Sequence, residues 1–218
     1  MPRKFKKSKV SICVFCEGES EQAYIDFLKS EFHDVAVFKR PSSPGLFDDA
    51  DNRFKKDPGY RNYVDAIDEI WFFFDVEEKD IGNWTNRLEI IKHLRKLRKD
   101  PKIRVRLLMT TGCIEYWLML HYRQLAPPLL TVPDKERMLA QVVRIEPTYR
   151  KGNYDTTARI AQNYPTAVKN ATIVLQNLLQ EGMPGLEDTD ERNRWLCTKC
   201  KTFSTVQEAI IFLESLQS

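Results

Sequence analysis

Short, continuous apolar runs alternate with segments of helical periodicity over residues 10–122. The first run, VSICVFC at 10–16, is rich in β-branched residues and unbroken by charge, which predicts a buried strand. After Glu17 and Gly18, the residues Ala23, Tyr24, Phe27, Leu28 and Phe32 share one face at helical spacing, with Ser20 as the expected N-cap and Glu21 in the electropositive first turn. A second strand is expected around 35–38, then a loop rich in Pro, Gly, Asp and Lys over 41–59, and a short helix around 63–68. The run Ile70-Trp71-Phe72-Phe73-Phe74, ending in Asp75, predicts a central strand covered on both faces. A helix at 84–99 closed by Pro101, a fourth strand at 103–109, and a Thr110-Thr111-Gly112 turn into a helix starting near Ile114 complete the series. Such alternation predicts an α/β fold, a parallel sheet flanked by helices with right-handed crossovers.

Beyond Tyr122 the strand signal disappears. Pro127, Pro128 and Pro133 bound a linker, and helices are expected at 134–143, 156–162 and 165–180. A Gly/Pro/acidic loop over 181–190 precedes a last amphipathic helix at 204–216, built on Val206, Ile210, Leu213 and Leu216. The expected organisation is an α/β core over 8–124 and a mainly helical part over 125–218 packed on it.

Composition narrows the setting. The chain has 218 residues, of which 42% are hydrophobic and 30% charged, enough apolar material for a real core. A net charge of only +3 argues against a surface uniformly coated in positive charge, although a local basic patch can still hold nucleic acid. No apolar stretch reaches the length of a membrane span, so no membrane partner is expected. The five cysteines (Cys13, Cys16, Cys113, Cys197 and Cys200) are odd in number, and the basic start MPRKFKKSKV lacks the apolar region of a secretion signal. Reduced thiols and a cytoplasmic location are expected.

The chemistry is carried by the placement of the acids. Glu17 follows the first strand, Asp75 and Glu77 the third, and Glu115 the fourth. In an open parallel sheet, ligands bind outside the carboxyl ends of the strands, so these side chains converge on one crevice. Glu21, in the first turn of the first helix, can point back to it. The Asp75-Val76-Glu77 spacing puts both acids on one side of an extended segment. Clustered carboxylates repel one another unless a cation sits among them, and hard oxygen ligands suit Mg²⁺ or Mn²⁺, which in turn suit phosphates. For any one acid, a solvated turn or a helix-terminal charge is the competing reading, and for Glu19, Glu78 and Asp80 it is the better one.

Val14-Phe15-Cys16-Glu17-Gly18-Glu19-Ser20-Glu21 resembles the glutamate motif of Toprim domains, and Phe73-Phe74-Asp75-Val76-Glu77 resembles their DxD motif, with Glu in the second acidic position. The segment from Thr111 to Tyr122, TGCIEYWLMLHY, resembles one that RloB-like proteins carry after the fourth strand. Tyr149-Arg150-Lys151-Gly152 and Ala167-Val168-Lys169-Asn170-Ala171 resemble the C-terminal part of that family. The resemblance implies a Toprim core, a role in bacterial anti-phage defence, and an ATPase partner protein. Toprim nucleases of the overcoming-lysogenization-defect type, which look related, are implied to use two metals. Position by position, Glu17, Glu21, Asp75, Glu77, Glu115 and Lys151 match their pattern. The implied metal ligands are therefore Glu17, Glu21, Asp75, Glu77 and Glu115.

The remaining features are weaker. Cys197-x-x-Cys200 lacks the second pair that a structural zinc site needs. His121, after an apolar helix face, is a candidate to contact a phosphate or carry a proton, against the commoner reading of a satisfied core histidine. Lys151 can reach a scissile phosphate or stand as a solvated loop charge. Basic runs at Lys4, Lys6, Lys7 and Lys9, and at 92–99, can hold a nucleic-acid backbone or form the wet face of a helix. No Gly-rich ATP-binding loop is present, so ATP would have to come from a partner. The expected activity is Mg²⁺-dependent (or Mn²⁺-dependent) phosphodiester hydrolysis of DNA or RNA, a nuclease with Glu17, Lys151 and His121 as catalytic candidates. Two alternatives stay open: a nucleotide or pyrophosphate phosphohydrolase or nucleotidyl transferase using the same acids, and a non-catalytic effector or sensor subunit of an ATPase-containing complex.

Overall fold

The computed structural model describes residues 9–199 and 201–217, apart from the side chains of residues 79 and 80. Lys4, Lys6, Lys7 and Cys200, which figure in the readings above, lie outside the described residues.

Four strands, β1 (Val10–Cys16), β2 (Ala36–Lys39), β3 (Glu69–Val76) and β4 (Arg104–Thr111), form one sheet in the order β2-β1-β3-β4. Every pairing is parallel. The α/β class expected from the alternation is therefore the class observed, with a helical C-terminal region. Burial explains the sequence pattern. Strands β1 and β3 are central, and a strand covered on both faces has no polar side to display. Residues Ile12, Val14, Cys16, Trp71, Phe73 and Leu108 pack on one face with α1 (Glu19–Glu31) and α5 (Ile114–Leu120). Cys13, Phe15, Phe72, Phe74 and Met109 pack on the other with α2 (Phe47–Lys56) and α4 (Trp84–Arg95). By this period of two, Asp75 follows Trp71 and Phe73 onto the face that carries α1 and α5.

Three local expectations are corrected. The 41–59 segment is not all loop: it contains α2 and the single turn α3 (Pro58–Arg61). Phe47, Ala50 and Phe54 are buried at helical spacing, and the i,i+4 pairs Asp49–Arg53 and Asp51–Lys55 support the exposed side. Loop-like composition masked that periodicity. In place of the helix at 63–68 there is one 3₁₀ turn, Val64–Ala66. Ser20 does not cap α1, which begins at Glu19 after Gly18; its Oγ instead accepts from the N–H of Gly152 at 3.1 Å.

The helices after the linker are α6 (Val132–Ile145), α7 (Tyr154–Ala161), α8 (Tyr164–Gln180), α9 (Asp190–Thr198) and α10 (Val206–Gln217). Helix α9 was not expected. It is held by Arg192, whose fully buried guanidinium pairs with Glu208 and Asp188. The chain returns to the sheet where Ser204 bridges Thr110 and the Thr205 hydroxyl donates to the Leu107 carbonyl. Residues beyond 125 thus cover both faces: Leu175, Leu178 and Cys197 one, Val206, Ile210 and Leu213 the other. Among the described residues, no helix is long and apolar enough to cross a membrane.

Candidate metal centre

The sheet order sets the position of the site. From β1 the chain moves outward to β2 and then crosses back to β3 on the other side of β1. The direction of winding therefore reverses between β1 and β3, and it is outside the carboxyl ends at such a reversal that open parallel sheets form a ligand crevice. Glu17 and Asp75 stand there. The Glu17 N–H donates to the Phe73 carbonyl at 3.0 Å, and the Asp75 N–H donates to Glu17 Oε2 at 2.9 Å.

Two further elements on the same face supply acids. Helix α1 brings Glu21, buried in its first turn. The turn from β4 into α5 brings Glu115, which is fully buried. That turn depends on Gly112. Its φ of +75° lies in the left-handed region, and a Cβ there would meet the Leu129 carbonyl oxygen at 2.7 Å. Trp117, Leu118 and Leu120, all fully buried, fix α5 against the sheet and so fix Glu115.

The C-terminal half contributes cations and a hydroxyl. Tyr149 Oη donates to Glu115 Oε1 at 3.1 Å, and Lys151 Nζ lies 3.2 Å from the same oxygen. The loop is tied down by Gly152, at φ +72°, whose N–H meets Ser20 at the start of α1. Helix α6 presents Lys135, which pairs with Glu77. Sequence reading missed Lys135. Its signal was a lysine in register with the apolar stripe of α6, three and seven residues before Met138 and Val142, which are buried.

Electrostatically the crevice is short of positive charge. Burial, and then the charges of Glu17 and Glu115, push the Glu21 carboxyl up to about 7. Burial, and then Glu21, Glu17 and Glu115, hold Asp75 well above the usual carboxylate range, with Lys135 acting the other way. Burial and the neighbouring Glu115 also push the Tyr149 phenol up. Two of the carboxylate oxygens, Asp75 Oδ1 and Glu115 Oε2, are buried with no hydrogen-bond partner. Burying an unpaired acceptor costs about 1–3 kcal/mol, more for a charged group. Four acids that feel one another, two of them with orphaned oxygens, form a donor set suited to a hard divalent cation. Among the described residues, no group of three or more His, Cys, Asp or Glu is drawn into ligand geometry as it stands. The carboxylates would have to close around an ion by rotation of their side chains.

The expected site residues are thus distributed as follows. Glu17, Glu21, Asp75 and Glu115 sense one another's charge, Glu77 is joined to them through Lys135, and Lys151 lies against Glu115. His121 sits elsewhere, in the core. It is fully buried, with Nδ1 3.0 Å from the Trp117 carbonyl and Nε2 3.2 Å from the Tyr24 hydroxyl. That network assigns the proton to Nδ1, and burial pushes the ring's pKa down to about 4. A neutral ring with both nitrogens engaged and no exposed surface has no face to offer a phosphate. Cys197 is buried, its Sγ 3.5 Å from Met109 Sδ, as a core thiol would be.

A search of curated proteins found no match. The model of a protein family described as RloB-like protein matches residues 12–210, a span that contains all the acids and both lysines of the crevice. The chain belongs to the RloB-like family.

Proposed function

We propose that this chain is a divalent-cation-dependent phosphodiesterase of the Toprim type that cleaves nucleic acid, working in anti-phage defence beside an ATPase partner. The observation that carries this reading is the pair of buried, partnerless oxygens, Asp75 Oδ1 and Glu115 Oε2, among mutually repelling carboxylates at the point where the sheet reverses its winding. The defence role and the ATPase partner rest on the family resemblance alone.

Asp75, Glu21 and Glu115 would hold the cation. When bound, Mg²⁺ or Mn²⁺ supplies Lewis-acid polarisation of a phosphoryl oxygen and a water of lowered pKa. Glu17 is the exposed acid at the mouth, oriented by the Asp75 N–H, and would take the proton from the attacking water at its carboxylate. Lys151, exposed beside Glu115, would hold the phosphate and offset charge developing on it.

The test is a substrate panel. Plasmid, single-stranded DNA, tRNA and mixed nucleoside triphosphates are incubated with the protein in Mg²⁺, in Mn²⁺ and in EDTA. Metal-dependent cleavage of a polynucleotide supports the proposal. Consumption of the triphosphates alone would favour nucleotide hydrolysis by the same acids. No turnover of any of them, with or without an ATPase partner, would overturn the proposal.

A further inference from the structure

A cavity of about 450 Å³ lies outside the acid cluster, between the linker that precedes α6 and the C-terminal half of α8. That volume falls within the range of small-molecule sites, about 300–1,000 Å³. Leu125 and Leu130 of the linker face Val174 and Leu178 of α8 across it. The rim carries the amides of Gln124 and Asn177, both exposed and without a hydrogen-bond partner in the protein. Each amide offers donors and an acceptor, the complement of a base edge. The charged groups of the lining are Lys201 and Glu181, and they pair with each other. The cavity is therefore apolar in its walls and neutral overall, which suits an uncharged planar ring better than a phosphate.

Its position ties it to the crevice. The Leu129 carbonyl packs so closely on Gly112 that a Cβ there would meet it at 2.7 Å, and the Gly112 N–H donates to the carbonyl of Val76, between Asp75 and Glu77, at 3.0 Å. On the other side the Thr111 hydroxyl donates to the Lys201 carbonyl at 2.8 Å, and the Thr202 hydroxyl to the Pro127 carbonyl at 2.6 Å. The cavity thus stands on the end of β4. That end is one strand spacing, about 4.8 Å, from the end of β3, so the cavity lies within a few nucleotides of the crevice at a rise of about 3.4 Å each. Pro127 and Pro128 fix the backbone of the linker wall in advance.

We propose that this cavity is a subsite for one unstacked base of the substrate, and that the substrate is therefore single-stranded or locally unpaired nucleic acid. This rests on reading the crevice as the place where a phosphodiester is cleaved. A base in a duplex reaches a pocket only by leaving its stack and its partner, at a cost that is least in a single strand. Inside, the leucine walls cover the faces of the ring, and Gln124 and Asn177 meet its polar edge.

The test is fluorescence anisotropy of the full-length chain with short fluorescent DNA and RNA single strands and their duplexes, in Ca²⁺. The tighter-binding strand is then scanned with single abasic positions. Asn177→Trp and Gln124→Trp each fill the cavity from an exposed position on one wall, so both are expected to stay folded, which thermal melts check. The wild type should bind the single strand more tightly than the duplex. One abasic position should weaken binding about 5–150-fold, the range for loss of one stacked base. Either variant should weaken the intact strand by a similar factor and erase the effect of that abasic position, with Mn²⁺ binding by isothermal titration unchanged. Equal or tighter binding of duplex, no sensitive abasic position, or an abasic effect that persists in both variants would overturn the proposal, as would a failure to bind any strand. If these outcomes come with metal-dependent cleavage of a polynucleotide, the phosphodiesterase reading stands and only the subsite falls. The predicted pattern without cleavage in Mg²⁺ or Mn²⁺ would support the subsite and remove the phosphodiesterase reading.

Discussion

The backbone N–H of Asp75 donates to Glu17 Oε2 at 2.9 Å, so the acid that ends β3 orients the acid that follows β1. Glutamine can accept the same hydrogen bond through its amide oxygen, but it cannot take a proton from water at neutral pH. Glu17→Gln should therefore keep the thermal midpoint of the wild type while lowering metal-dependent turnover by about 10²–10⁴-fold, the range of general-base contributions. A fall in stability that tracks the fall in turnover would show that Glu17 serves the fold.

The raised carboxyls make a prediction about pH. A carboxyl whose pKa is higher in the folded state binds more protons there than in the unfolded chain, so stability falls as pH rises. For Glu21 the window runs from its ordinary 4.5 to about 7, and Asp75 acts in the same direction. In EDTA, the thermal midpoint should decline between these limits, and Glu21→Gln should flatten the decline. Added Mn²⁺ should raise the midpoint more at pH 8 than at pH 5, because the ion competes with protons for the same oxygens. A midpoint that climbs from pH 5 to pH 8 in EDTA would contradict the account.

His121 should behave as a core residue. His121→Ala removes a buried ring and leaves the Tyr24 hydroxyl without its partner, which should cost about 2–4 kcal/mol in chemical denaturation. The folded fraction should still bind Mn²⁺. A variant of unchanged stability that has lost cleavage would return His121 to the chemistry.

Much of this was legible in the sequence, for identifiable reasons. The strand runs at 10–16 and 70–74 are visible because central parallel strands have no polar face. That Glu17, Asp75 and Glu115 lie close together was legible because each follows or ends a strand of one parallel sheet, whose carboxyl ends lie side by side. Helix α2 was hidden by its own composition, since Asp and Lys read as loop until Phe47, Ala50 and Phe54 are seen on one stripe. Helix α9 was hidden because a buried Arg192 anchors it, and the polar run Asp190-Glu191-Arg192-Asn193-Arg194 that opens it gives no apolar periodic signal. Lys135 was hidden because its role depends on α6 lying against α5, a tertiary fact, while its apolar register shows only that it faces inward.

Lys151 should act on the substrate more than on the metal. It is exposed and lies beside Glu115, so Lys151→Met should leave Mn²⁺ stoichiometry unchanged. Binding of a fluorescent oligonucleotide in Ca²⁺ should weaken, and the slope of log affinity against log salt should become shallower by about 1, as for loss of one phosphate contact. An unchanged slope would place Lys151 off the path of the nucleic acid.

The most direct measurement concerns Asp75, whose carboxylate combines burial, three neighbouring acids and an orphaned oxygen. Cleavage of plasmid and tRNA by the wild type and by Asp75→Ala is followed in Mg²⁺ and Mn²⁺, with thermal melts to establish that both are folded. The account predicts a variant at least as stable as the wild type in EDTA, because a repelling buried charge is gone, with cleavage abolished in either metal. Full cleavage by folded Asp75→Ala in Mg²⁺ would contradict it.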